Sequence, residues 1–333
     1  MLLSQVGPAE NLELSEIDRP TIKPGHALVR VRAAGVCYRD VIDRRGGFPF
    51  MKLPVVPGHE FGGEVEQVAD DVDSVKPGDR VVNLHRAPCG ECEYCVAGHE
   101  PRCIRSPYAF GLTHDGGYAE YVLAPAGCLV SLPPAIELEA GCFLACTAGV
   151  ALRAMRTHGR LAEGQTVLVT GASGGVGLHA IQIARAMKAR VVAITSSPAK
   201  VGALERLGAH EVVVSEDLRF HKRVSGVDVV IDCVGTPTLN ASLRSLRPTG
   251  RAVVVGNVTT ERVEVNPGLV ILNELTLVGS AGCNRADLLD VLGWVQSGEV
   301  EPIIADTLPL SSAADAHRTL ESRGVTGRIV LRP

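Results

Sequence analysis

Four cysteines within one short stretch constrain this chain more than any other feature. Cys89-Gly-Glu-Cys92-Glu-Tyr-Cys95 is followed by Cys103, a C-x2-C-x2-C-x7-C spacing. Thiolates so placed close one tetrahedral S4 shell around Zn2+, the arrangement of a structural site. Gly90 and Gly98 let the backbone bend tightly enough for each sulfur to reach one ion. Buried free thiols or a disulfide pair would account poorly for such regular crowding. A closed four-thiolate site ties down a loop, here a lobe expected at 85–105, and does no chemistry itself. It points to a second, catalytic metal elsewhere.

The rest of the chain sets the context. Its 333 residues suffice for two domains with separate cores, and 46% hydrophobic with 21% charged residues is a globular composition. A net charge of −4 gives no electrostatic reason to expect nucleic acid or an acidic membrane surface as partner. The start, Met1 to Pro8, lacks the basic-then-apolar grammar of a signal peptide, and no uninterrupted apolar run approaches the roughly 20 residues of a membrane span. Ten cysteines in a chain without export stay reduced, so metal binding is their expected use and a cytoplasmic location is expected.

Residues 1 to about 130 read as β-rich. Alternating runs such as Ala27–Arg32 and Arg80–Asn83 are punctuated by Pro-Gly pairs at 24–25, 57–58 and 77–78. Near residue 164 the grammar changes. Thr166–Thr170 reads as a buried strand, followed by a glycine-rich turn and a helix over Val176–Met187. Strands are expected at Arg190–Ile194, Glu211–Val214, Val227–Asp232, Arg251–Val255 and Leu275–Gly279, with a helix at Ala199–Leu207. Alternation at this pitch predicts an α/β doubly wound parallel sheet. A helix over Ala286–Gln296 and a strand Gly327–Leu331 end the chain.

Thr170-Gly-Ala-Ser-Gly-Gly-Val-Gly177 stands between strand and helix, the context in which a glycine-rich turn binds a dinucleotide. Gly174 lets the backbone approach a pyrophosphate, Gly177 lets the helix pack on the sheet, and the amides around Gly175 and Val176 face the phosphate charge. Ala172 occupies the first glycine place of the usual G-x-G-x-x-G. At the end of the second strand an NAD site wants a carboxylate, but this chain has Thr195-Ser196-Ser197 and then Lys200. Hydroxyls and a cation suit a 2′-phosphate, so NADP(H) is the expected cofactor. The alternative is that Ser197-Pro198 caps the next helix and Lys200 is solvated.

Candidate ligands for a second metal come from three separated segments: Cys37, the pair His59 and Glu60, and Cys146. Two thiolates, one imidazole and an open or carboxylate-filled fourth place make a catalytic zinc shell. Taken singly each is weak, since a lone histidine is usually a core residue and thiols such as Cys128, Cys142 and Cys233 usually pack.

Together, Cys37, Gly58-His59-Glu60, the thiol lobe, Cys146 and Gly174–Gly177 resemble the zinc-containing medium-chain dehydrogenase/reductase superfamily along essentially the whole chain. The resemblance implies a GroES-like catalytic domain over 1–148, a Rossmann NADP(H)-binding domain over 149–284, and a segment 285–333 returning to the catalytic part. It implies that Cys37, His59 and Cys146 hold the catalytic zinc, with Glu60 behind them or as an exchangeable fourth ligand. That makes two zinc ions per chain, counting the ion held by Cys89, Cys92, Cys95 and Cys103. By the same analogy Thr147, Val234, Asn257 and Ser280 line the nicotinamide, and homodimers or homotetramers form through the Rossmann sheets.

One departure bears on the substrate. Alcohol dehydrogenases of this superfamily usually carry Ser or Thr two residues after the first zinc cysteine, where its hydroxyl starts a proton relay. This chain has Arg39, which keeps its proton near neutral pH. Cys-Tyr-Arg-Asp40 together with Val234-Gly-Thr-Pro-Thr238 is similar to the acryloyl-CoA reductase branch, and an equal alternative makes Arg39 a structural partner of Asp40 or Asp43. Three functions therefore stand open. They are NADP(H)-dependent turnover of a small alcohol or carbonyl, reduction of an enoyl-CoA C=C bond, and NADPH binding without turnover. Phe48, Phe50, Leu84 and Phe110 are expected around the substrate, and Tyr38 is a candidate proton donor.

Overall fold

The apolar–charged alternation that begins at His26 produces a long strand, which the computed structural model carries through to Val36. The structure describes residues 1–333 apart from Pro107 and Thr260. Arg30 and Arg32 are exposed along this strand, but from Ala33 to Val36 every residue is buried. The strand thus runs from a wetted sheet face into the core, and Cys37 follows directly.

Glu60–Val68, Arg80–Asn83 and Leu129–Ser131 extend the sheet on one side, and Arg328–Arg332 and Ile304–Pro309 on the other. Tyr121–Pro125 also pairs with the central strand. All these pairs are antiparallel except that between Ile304–Pro309 and Arg328–Arg332. The sheet belongs to a first unit made of Met1–Cys146, Gly282–Leu292 and Ile304–Pro333. Its final strand sets Ile329 against Val36 and Leu331 against Ala34, beside the backbone that leads to Cys37.

The second unit comprises Thr147–Ala281 and Gly293–Ile303. Val167, Leu168 and Val169 are wholly buried, as a parallel strand covered on both faces requires. Six parallel strands run, in chain order, Thr166–Val169, Arg190–Thr195, Glu211–Val214, Val227–Asp232, Leu246–Val254 and Thr276–Gly279. Across the sheet they lie third, second, first, fourth, fifth, sixth, which is the doubly wound order with its switch between first and fourth. Leu168, Val192, Ile194, Phe220, Val230 and Leu243 pack one face of the core. Burying a side chain of this kind stabilises by about 1.5–3 kcal/mol.

Three details differ from the sequence reading. Gly293–Ile303 groups with the second unit and not with the first, where the sequence reading placed all of 285–333. Gln182 holds Glu301 there through two hydrogen bonds, of 3.0 and 2.7 Å. The helix expected at Ala199–Leu207 is a 3-10 turn Pro198–Lys200 followed by a short helix Val201–Arg206. The stretch Leu138–Gly159 is a helix long and apolar enough to cross a membrane by length and composition, though 83% of its window is buried within the chain.

Candidate metal centres and dinucleotide site

The lobe is built by its turns. Gly90 and Gly98 adopt φ of +75° and +74°, a backbone region costly for other residues, and they turn the chain so that the thiols converge. Cys89 and Cys95 sulfurs lie 3.9 Å apart, and those of Cys92 and Cys103 4.0 Å. Sulfurs about 2.3 Å from one ion in a tetrahedron would be separated by about 3.8 Å. The backbone amide of Cys92 donates to the Cys89 sulfur at 3.3 Å, and that of Cys89 to the Cys103 sulfur at 3.4 Å. Backbone hydrogen bonds hold the Cys92 thiol down to about 6, while burial pushes Cys95 up to about 12. A divalent, thiophilic cation reconciles these opposed tendencies, because a coordinated thiol is deprotonated whatever its own tendency.

The second cluster gathers Cys37, His59, Glu60 and Cys146, whose ligand atoms all lie within 4.8 Å of one another. Cys37 caps the helix Tyr38–Arg44, His59 precedes the strand Glu60–Val68, and Cys146 sits in a π-helical turn, Ala145–Gly149. Such turns recur at functional sites because they aim a side chain off the regular helix. The Cys37 and Cys146 sulfurs are 3.9 Å apart, and His59 Nε2 lies 3.4 Å from the latter. Glu60 Oε1 is 3.7 Å from His59 Nε2. Among the described residues Glu60 Oε2 is buried without a hydrogen-bond partner, which leaves it as a donor atom suited to a cation. The donor set and its spacing fit zinc.

Two charged residues prepare this cluster. Asp40 Oδ2 accepts from the Cys37 backbone amide at 3.0 Å, and Oδ1 lies 2.7 Å from His59 Nδ1. His59 Nδ1 therefore donates and Nε2 keeps the lone pair that a metal needs. Arg328, in the final strand and 5% exposed, donates to Glu60 Oε1 at 2.8 Å and to the Cys37 sulfur at 3.4 Å. Burial pushes Glu60 up to about 7 although Arg328 opposes it. A hydrogen bond from Cys146 holds Cys37 well below the usual thiol range despite burial. Burial and Arg39 disfavour the His59 imidazolium, but the charge and hydrogen bond of Asp40 together with a hydrogen bond to Cys37 lift it to about 10, so metal must displace a proton here.

Arg39 is pinned. Its Nε donates to Asp43 at 2.8 Å and a terminal nitrogen to the Phe110 carbonyl at 2.9 Å. Of the apolar residues expected around substrate, Phe110 and Leu84 are fully buried, while Phe50 is half exposed. His85 stacks on His59 with ring centroids 5.4 Å apart. Arg328, His85 and Asn83, which fixes the His59 carbonyl at 2.9 Å, escaped the sequence reading, as did the role of Asp40 toward His59. A lone basic residue opening the apolar run Ile329–Leu331 was the one available signal for Arg328.

In the second unit the glycine-rich turn is shaped as its sequence requires. Gly174 caps the helix Gly175–Ala186 and its amide bonds the Gly171 carbonyl at 2.9 Å. A Cβ at Gly177 would stand 2.6 Å from the Ala172 Cα, so only glycine allows this approach of helix to strand. Thr195, Ser196, Ser197 and Lys200 follow the second strand, with Thr195 buried, Ser196 exposed and Lys200 half-buried. The Thr195 hydroxyl accepts the Ser197 amide at 3.2 Å. Val234, Asn257 and Ser280 follow the fourth, fifth and sixth strands, and the Ser280 hydroxyl is buried without a partner. All lie at the carboxyl ends of the strands, where doubly wound sheets bind ligands. Thr147 is fully buried beside Cys146 in sequence. Asp232 is an unforeseen anchor: its carboxylate accepts from Thr170, Thr238 and Ser242 hydroxyls and from the Val234 and Gly235 amides at 2.6 to 3.1 Å.

Residues 23–134 match the alcohol dehydrogenase GroES-like domain family, and residues 175–297 the zinc-binding dehydrogenase family. The acryloyl-coenzyme A reductase of Sulfurisphaera tokodaii is 36% identical over 331 residues, covering 98% of both chains. The chain belongs to the zinc-containing medium-chain dehydrogenase/reductase superfamily. As a member it is an oxidoreductase with a GroES-like and a Rossmann-type part. An alcohol dehydrogenase of Geobacillus stearothermophilus is 33% identical over 328 residues, with 96% of each chain covered. Among solved structures, AibC superposes with a TM-score of 0.91 at 43% identity, covering 100% of this chain and 94% of its own. Superfamily membership accounts for both cysteine clusters and the glycine-rich turn together.

Proposed function

We propose that this protein is an NADP(H)-dependent zinc oxidoreductase that reduces the C=C bond of a small enoyl thioester, with acryloyl-CoA as its representative. Arg39 carries the reading. Where a hydroxyl would begin an alcohol-proton relay, the chain holds a guanidinium tied to Asp43 and the Phe110 carbonyl. Such a group passes no proton near neutral pH. Reduction of a conjugated C=C bond also takes up one proton, at the α-carbon, but draws it from water or an acid such as Tyr38 and not through an alcohol-hydroxyl relay. Hydride adds at the β-carbon and charge gathers on the thioester oxygen, which cations and N–H donors stabilise. The likeness to acryloyl-CoA reductase supports the same choice.

When bound, zinc supplies a Lewis acid and NADPH a hydride. The chain's own residues prepare for both. Asp40 fixes the His59 tautomer, Arg328 balances Glu60, and the amides after Gly174 meet the pyrophosphate. Thr195, Ser196, Ser197 and Lys200 offer hydroxyls and a cation to a 2′-phosphate. Val234, Asn257 and Ser280 are assigned to the nicotinamide. Small alcohols or carbonyls form a second reading, favoured by the complete Cys37–His59–Cys146 donor set.

A homo-oligomer belongs to the same proposal. Thr276–Gly279 is an edge strand, paired on one side only, and Leu277 is 42% exposed on it. Ile271 and Leu272, in the preceding helix Pro267–Leu272, are 71% and 85% exposed. An open edge flanked by apolar residues suits a second copy of the chain.

The test is consumption of NADPH and of NADH by zinc-loaded protein, with acryloyl-CoA and small aldehydes side by side. Turnover of the thioester with NADPH is expected. Turnover of aldehydes alone would replace this reading with the second, and tight NADPH binding without turnover would mark a non-catalytic binder.

A further inference from the structure

The C-terminal helix Ala313–Glu321 buries a histidine that neither the ligand set nor the dinucleotide site uses. His317 is fully buried, and burial holds it down to about 4, so it is neutral at physiological pH with a single ring proton. Its Nδ1 has no hydrogen-bond partner among the described residues, whereas Nε2 lies 3.4 Å from the Tyr118 hydroxyl. Tyr118, also fully buried, lies 3.3 Å from Asp40 Oδ2, and Asp40 Oδ1 lies 2.7 Å from His59 Nδ1.

The proton directions follow from what each group can do. A carboxylate only accepts, so the single Tyr118 proton goes to Asp40. The hydroxyl oxygen is then free to accept, and the His317 proton sits on Nε2 to meet it. This leaves Nδ1 as the bare lone pair, which agrees with its lack of a partner. The run His317 → Tyr118 → Asp40 ← His59 has one self-consistent arrangement of protons.

We infer that Tyr118 and His317 are positioning residues for the Cys37–His59–Cys146 metal site, acting through Asp40. Asp40 holds two ligands at once, the Cys37 backbone and the His59 ring, so its orientation sets theirs. The helix bearing His317 is fastened to the helix bearing Asp40 by an ion pair between Arg44 and Glu321. A helix far along the chain thereby helps hold a candidate metal site whose ligands lie between residues 37 and 146.

At 3.3 and 3.4 Å these are the looser links. Direct partners of metal ligands change affinity by about 10–100-fold, so an effect of about three- to tenfold is expected here. The experiment follows zinc release from protein carrying two zinc ions, using a chromogenic chelator. Loss of one phase in Cys146→Ser identifies which ion belongs to this site. Tyr118→Phe and His317→Leu should each speed that phase about three- to tenfold and leave the lobe phase unchanged. His317→Gln, which places an N–H near the Nε2 position, should restore the slow rate. The Tyr118→Phe/His317→Leu double variant should be no faster than the worse single, because both break one chain. The inference is overturned if release is unchanged, if both phases accelerate together, if His317→Gln behaves like His317→Leu, or if the double variant is multiplicative.

Discussion

Arg328 shows how much one buried charge decides. It is the hydrogen-bonded cation facing the buried Glu60, and its loss would leave that carboxylate without its nearest counter-charge. Arg328→Met should therefore lower the unfolding free energy of zinc-free protein by about 3 kcal/mol or more in urea titrations. Arg328→Met with Glu60→Gln should recover most of that loss, since the partner charge is gone as well. A single variant as stable as the parent would show that the pair contributes nothing net. The cysteine and histidine candidates that the structure gathers into two clusters were legible in the sequence because their chemistry is rare and their spacing distinctive. Arg328, Tyr118 and His317 were not, since the partners that give them meaning lie 78 to 291 residues away in sequence.

At the scale of elements, the strands of the Rossmann-type sheet were legible because burial on both faces leaves short unbroken apolar runs. Glu211–Val214 and Val227–Asp232 fall where the pattern placed them. The strand expected from Arg251 instead begins at Leu246, since Pro248-Thr-Gly250 reads locally as a turn and only pairing of Leu246 with Val227 extends the ladder. The helical turns around Cys146 have no such signature, because a π-turn arises from tertiary packing and not from periodicity. The lobe is the element least able to stand without its ion: its interior consists of Cys89, Cys92, Cys95 and Cys103. Cys92→Ser should halve the zinc content to one per chain, cost at least about 3 kcal/mol of stability, and open Arg102 or Arg105 to trypsin. A variant that retains both ions and resists the protease would refute a closed four-thiolate site.

For the molecule as a whole, the open edge at Thr276–Gly279 is the feature with the widest reach. A free row of backbone donors and acceptors beside Leu277, Ile271 and Leu272 is an association hazard unless another chain covers it. Leu277→Lys should reduce the sedimenting mass to that of one chain, with the sheet's circular dichroism unchanged. An assembly of unaltered mass would move the interface elsewhere.

The chain passes between its two units four times, after Cys146, Ala281, Leu292 and Ile303, and this has a consequence for biosynthesis. As the polypeptide leaves the ribosome, all four candidate catalytic ligands are outside long before the strand that borders them. The six parallel strands are complete once Gly279 has emerged, so that sheet can consolidate first. The other sheet waits for residues 328–332, and a nascent chain stalled just short of them holds every zinc donor but neither the strand beside Val36 nor the counter-charge of Glu60. The surroundings of that cluster are therefore complete only once residues 328–332 have joined the sheet, after every one of its candidate ligands has been made.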